Sequence, residues 1–129
     1  MKESAVSSHI RLNAAYAGLE LWRNNSGAFT DETGRVVRYG LCNDSKQLSD
    51  KIKSSDLIGI TPVVITPEMV GQTIGVFTAI ETKPSDWKMR PSDKRAVAQA
   101  EFHAIVKRAG GYAGFATCIE TFKRIVNLK

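Results

Sequence analysis

Two cysteines, two histidines and four prolines in 129 residues leave several kinds of protein without their usual materials. Cys42 and Cys118 are too few and too isolated to form a zinc site with His9 and His103, and a reduced state is the simplest assumption. No apolar run reaches the length of a membrane-spanning helix. Met1-Lys2-Glu3-Ser4 offers no secretory apolar segment, so a cytoplasmic location and no membrane partner are expected. Internal repeats and low-complexity segments are absent as well. What is present, with 43% hydrophobic residues, suffices for one compact domain over 1–129 with a real core.

The charge is one-sided. Lys plus Arg number 18 against 13 Asp plus Glu, a formal +5. A basic surface of this kind suits a polyanion such as nucleic acid, without demonstrating one.

Chemistry concentrates in two short segments. Ser55-Asp56 precedes the apolar run Leu57 to Ile65, and Glu81-Thr82-Lys83 ends the β-rich stretch Thr73 to Ile80. Thr66 to Gly71 interrupts the two and is expected to reverse the chain, giving a hairpin that brings Asp56 and Glu81 to one end on neighbouring strands. Alternation along a strand then puts Glu81 and Lys83 on one face and Thr82 on the other. Two carboxylates suit a hard cation, Mg²⁺ or Mn²⁺, which prefers oxygen ligands and keeps several waters. Such an ion answers both difficulties of phosphodiester hydrolysis, a weak nucleophile and accumulating negative charge. Lys83 would orient the water or stabilise the transition state. The competing interpretation is a strand-edge Glu–Lys pair beside an unrelated turn Asp.

These segments carry a resemblance that covers most of the chain. Arg38-Tyr39-Gly40-Leu41, Ser55-Asp56-Leu57-Ile58-Gly59, Gly75 through Lys83, Gln99 with Phe102, and Gly110-Gly111-Tyr112-Ala113-Gly114 together resemble the VRR-NUC family. This is the virus-type replication-repair nuclease branch of the PD-(D/E)XK superfamily. Ser55 stands where the superfamily motif has Pro, a departure that leaves the Asp56 ligand in place. The resemblance implies a restriction-endonuclease-like fold, an α/β architecture with a mixed central β-sheet flanked by helices. It implies Asp56 and Glu81 as metal ligands, the Thr82 carbonyl as a further one, and Lys83 as the catalytic lysine. A structure-specific DNA endonuclease acting on branched DNA or Holliday junctions, working as a homodimer, is the implied function. A non-catalytic nucleic-acid-binding module on the same scaffold is the alternative.

Other residues divide between two interpretations. A first helix from Ser7 or Ser8 to about Trp22 would carry Ile10, Ala14, Ala17 and Leu21 on one face, with Glu20 at its border. Glu20 there either pairs with Arg23 in solvent or points inward, and the resemblance favours a further metal ligand. A later helix, capped by Ser92 or Asp93 and ending at Gly110-Gly111, would bury Val97, Phe102, Ile105, Val106 and Ala109. Gln99 is either a core-edge amide or, by the resemblance, a site-lining one, and His103 is expected at the surface or an interface. Pro84 to Pro91 is expected to form a mobile loop. Arg23, Lys88, Arg90, Lys94 and Arg95 are candidate phosphate contacts, and Trp87 a stacking or wedge residue. Nothing in the chain reads bases.

The remaining elements are a hairpin of residues 27–30 and 35–38 around Asp31-Glu32-Thr33-Gly34, a buried strand over 112–117, and a last helix with capping-box spacing from Thr117 to Glu120. The expected order is helix, hairpin, hairpin, helix, strand, helix. Its mixed sheet would centre on Ile74 to Ile80.

Overall fold

The computed structural model describes residues 2–129. The chain is mixed α/β and forms two compact units, one ending at Gly59 and the other running Ile60–Lys129. No helix among the described residues is long and apolar enough to cross a membrane.

In the first unit, helix α1 spans Glu3–Tyr16 and strand β1 spans Glu20–Arg23. The helix therefore begins and ends earlier than the apolar spacing suggests. Gly18 causes the early end: at φ +81° it adopts a left-handed conformation. The Gly18 and Leu19 amides then turn back to the Ala15 and Ala14 carbonyls at 3.2 and 2.8 Å, closing the helix with a Schellman motif. Glu20 consequently lies on a strand and not on the first helix.

Strands β2 (Gly27–Thr30) and β3 (Val36–Tyr39) form the expected antiparallel hairpin, with Ala28 opposite Arg38 and Phe29 opposite Val37. Local chemistry makes its turn. The Asp31 carboxylate accepts from the Thr33 and Arg35 amides at 2.9 Å each, and Gly34 supplies a φ of +84°. Those hydrogen bonds, led by the one from the Thr33 hydroxyl, hold the Asp31 carboxyl below its usual range.

A short helix α2 (Lys46–Lys51), capped by the Ser45 hydroxyl on the Leu48 amide, precedes Asp56. Strand β4 (Leu57–Ile60) follows and pairs with β1. Gly59 lies so close to the Glu20 carbonyl that no side chain fits there.

The second unit opens with irregular chain and one 3-10 turn at Pro67–Met69, at the place where a reversal is expected. Strand β5 (Thr78–Thr82) then pairs in parallel with β6 (Tyr112–Ala116), and helix α3 (Lys94–Arg108) connects them. This βαβ unit replaces the expected hairpin: β4 takes β1 as its partner and β5 takes β6. The sheets are two-stranded, so the broad mixed sheet centred on 74–80 is not what the described residues form. The carboxylate of Asp93 caps α3 on the Ala96 amide at 3.0 Å. Gly110, at φ +94°, closes it, with the Gly111 amide on the Val106 carbonyl at 2.9 Å.

Parallel pairing fixes the two faces of β5–β6. Glu81 pairs in register with Phe115, and that face meets α3 through His103, whose ring stands edge-on to Phe115 with centroids 4.7 Å apart. Gly114, on the opposite face, abuts the Ile125 side chain of helix α4 (Ile119–Ile125). The unit is thus a helix–sheet–helix layer with Ala96, Val106, Ala113 and Ala116 at its centre. The cap of α4 falls one residue later than expected, on Cys118 with Thr121 as its partner, and the Thr121 hydroxyl accepts from the Cys118 amide at 3.1 Å.

Candidate functional site

The inward face of α3 is the element that builds the site, and it is not the face the apolar stripe suggests. Val97 and Phe102 remain 39% and 38% exposed, whereas Ala96, His103 and Val106 are buried. Steps of three, four and three residues place Ala96, Gln99, His103 and Val106 on one side of the helix. Small alanines let the helix lie close to the sheet, and the polar pair Gln99 and His103 then faces β5. His103 is accordingly a core residue, 6% exposed, and not a surface one.

A hollow of about 470 Å³ opens between β5 and α3, lined by Glu81, Arg95, Gln99, Phe102 and His103. Glu81 enters it from the sheet. Lys83, two residues on and hence on the same face, reaches to 3.9 Å from the Glu81 carboxylate while its own side chain is only 14% exposed. The strand end that aims both is held by the Lys83 amide on the Ala116 carbonyl at 2.9 Å. Across the hollow, the Gln99 Oε1 is buried and has no hydrogen-bond partner among the described residues. A buried carbonyl oxygen without a donor is costly, and natural interiors keep few of them except where a ligand or water completes the shell. Burial, reinforced by the Lys107 charge one turn along and opposed by Glu81, pushes the His103 imidazole below its usual pKa, so it prefers to be neutral.

Asp56 belongs to the first unit. It is exposed, immediately precedes β4, and its carbonyl accepts from the Asn24 amide at 2.8 Å. The Asn24 side chain adds bonds to the Ser54 hydroxyl at 3.0 Å and the Ser55 carbonyl at 2.7 Å, fixing the Ser55-Asp56 backbone. Asp56 lines a hollow of about 340 Å³ with Glu3, Ser7, Arg23 and Asn25.

Glu20 is not in that hollow. Glu20 opens β1 four residues before Asn24, whose amide bonds the Asp56 carbonyl, and its own carbonyl lies against Gly59 on β4; four residues of extended strand span roughly 13 Å. The acidic residue that α1 does bring to Asp56 is Glu3, in its first turn. Its position among the earliest residues, where a carboxylate favours a helix N-terminus, is the only signal the sequence holds for it. His103 had a clearer one, since it follows Gln99 by one helical turn.

Among the phosphate candidates, Arg23 lines the Asp56 hollow and Arg95 the Glu81 hollow. Lys88, Arg90 and Lys94 are exposed. Trp87 is half-buried, its ring tilted 39° against Phe115 at 4.7 Å. The segment around it is not featureless: the Trp87 amide bonds the Pro84 carbonyl and the Asp93 amide the Arg90 carbonyl, each at 3.0 Å. Thr82 is exposed on the face opposite Glu81.

Among the described residues, no group of three or more His, Cys, Asp or Glu side chains gathers into a metal cage. Glu81 and the orphaned Gln99 oxygen instead form a sparse oxygen donor set, which fits a hard cation that retains most of its waters. Comparison of the chain with protein-family models, curated proteins and solved structures yields no match.

Proposed function

We propose that this chain is a Mg²⁺- or Mn²⁺-dependent nuclease of the VRR-NUC kind, with a restriction-endonuclease-like core, that hydrolyses phosphodiesters of branched DNA. The observation that carries the proposal is the pairing of an acid-X-Lys strand end with an unsatisfied buried oxygen: Glu81 and Lys83 share one face, and Gln99, whose Oε1 is buried without a partner among the described residues, lines the same hollow as Glu81. When bound, the cation supplies charge neutralisation at the phosphate and a more acidic water. Glu81 and Gln99 would hold it, with the Thr82 carbonyl as a further ligand, and the VRR-NUC likeness makes Asp56 a second acidic residue that the reaction needs.

Lys83 contributes a fixed positive charge. Held at 3.9 Å from Glu81 and mostly shielded from solvent, its ammonium can orient an attacking water by hydrogen bonding and stabilise charge that develops on the phosphoryl oxygens. Arg95, on the rim of the same hollow, is placed to hold a non-reacting phosphate oxygen. His103, favoured in its neutral form, shapes the hollow floor without adding charge. A small basic chain grips a branched substrate better as a two-fold pair, which doubles the contact surface and supplies two cutting sites.

The test is cleavage of four-way, flap and linear DNA by purified protein with Mg²⁺ or Mn²⁺, beside Glu81→Gln, Asp56→Asn and Lys83→Met prepared identically. Each substitution is expected to lower the rate by at least about 100-fold. Unaltered cutting by the variants, or none by the native chain, would sink the proposal. Salt-sensitive DNA binding without cleavage would instead mark a non-catalytic scaffold. Matched RNA junctions identify the sugar requirement.

A further inference from the structure

The hydrolytic reading leaves Trp87 and Phe115 without a task, yet these rings make the most specific contacts around the lysine. Phe115 sits on β6 in register with Glu81. Trp87 arrives from the turn after β5, which its own amide closes on the Pro84 carbonyl at 3.0 Å. The ring centroids are 4.7 Å apart. Lys83 Nζ lies 5.6 Å from the Trp87 centroid and 5.8 Å from that of Phe115, within the range at which a cation is attracted to a π face.

A free lysine side chain samples many rotamers, and an ammonium beside one partly exposed carboxylate has little reason to stay in one of them. Here it is enclosed. Two rings within 5.8 Å and Glu81 at 3.9 Å restrict it, and only 14% of the side chain meets solvent. His103 extends the arrangement, its edge-on contact at 4.7 Å bracing Phe115 from α3. The same ring that the sequence offers as a base-stacking platform is engaged inside the chain.

We propose that Trp87 and Phe115 form an aromatic clamp that fixes the Lys83 ammonium beside Glu81, making Trp87 a positioning residue that acts through Lys83. The catalytic consequence rests on the hydrolytic reading above; the clamp itself does not. Its role is pre-organisation: the charge stands where it is needed before substrate arrives, so loss of the clamp reduces turnover and not substrate affinity.

Two readouts test it on the full chain. The first is acylation of lysines by limiting acetic anhydride, followed residue by residue by mass spectrometry with the exposed lysines as internal references. Trp87→Leu, which keeps bulk but removes the π face, is expected to raise Lys83 reactivity about two- to fivefold, and Trp87→Phe to reverse most of that rise. The second is steady-state cleavage, in which Trp87→Leu lowers kcat about tenfold or more while KM stays within about twofold, again with rescue by Trp87→Phe. Unchanged Lys83 reactivity in a folded Trp87→Leu protein overturns the clamp whatever the activity. A rise in KM with kcat preserved also overturns it and makes Trp87 a DNA-stacking residue. If Lys83 reactivity responds as expected while the native chain cuts nothing, the clamp stands and the hydrolytic reading falls.

Discussion

Replacing Gln99 with methionine separates a binding role for the orphaned oxygen from a structural one. Methionine has nearly the length of glutamine and no strong hydrogen-bonding atom, so the substitution keeps the volume of the α3 face and removes the unsatisfied acceptor. A buried polar atom without a partner costs about 1–3 kcal/mol, which the native chain carries at Oε1. Gln99→Met is therefore expected to stabilise the metal-free protein by about 1–2 kcal/mol. For a chain of this length that raises the Tm by roughly 3–6 °C per kcal/mol. The assay is thermal unfolding by circular dichroism, first in chelator and then in Mn²⁺. The native chain should gain stability with metal, about 2.7 kcal/mol at a hundredfold excess over Kd, and the variant much less. More stability without the ligand and less with it would be the signature of a site held unsatisfied for a purpose. A lower Tm than native in chelator would refute the reasoning, because it would mean the amide satisfies the fold.

Three further outcomes follow from the packing. Gly59→Ala places a methyl group on the Glu20 carbonyl and should cost about 3 kcal/mol or more, read as a lower denaturant midpoint. Asn24→Ala removes the bonds to Ser54 and Ser55 that fix the approach to Asp56, and should cost about 1–2 kcal/mol in chemical denaturation. The His103 pKa lies below its unfolded value of 6.5, so on acidification the unfolded chain takes up the proton first. The stability this residue contributes is present above about pH 6.5 and is lost as pH falls through its folded pKa. Melting curves at about pH 7.5 and pH 5.5 should show a larger drop for the native chain than for His103→Asn, and equal drops would contradict the assigned burial.

Local chemistry was legible in the sequence and partner choice was not. The β2–β3 hairpin could be read because Asp31 and Gly34 carry the turn within their own few residues. The same holds for the start of α3 at Asp93 and its end at Gly110. Leu21 continues the apolar spacing of α1, and that continuity masked the stop at Gly18. Two β-rich runs separated by a turn-like segment invite pairing with each other, but β4 pairs with β1 from far upstream and β5 with β6 across a helix. Such non-local choices depend on which faces can be covered, information that no short window holds. On α3, alanines at 96, 98, 100 and 104 leave the apolar stripe ambiguous, which is why the sequence leaves Gln99 between core edge and site and points His103 to the surface or an interface. The acid-X-Lys geometry survived because strand alternation alone determines it: Glu81 and Lys83 do share a face. The first helix ends before Glu20, which lies on β1.

The central proposal is that one hard cation is held by Glu81 and the Gln99 oxygen at the hollow between β5 and α3. Mn²⁺ binding followed by electron paramagnetic resonance, comparing the native chain with Glu81→Gln and with Gln99→Met, tests it without reference to any substrate or contaminating nuclease. The account predicts that either substitution alone weakens Mn²⁺ binding by about tenfold or more. Native-like binding in either folded variant would contradict it.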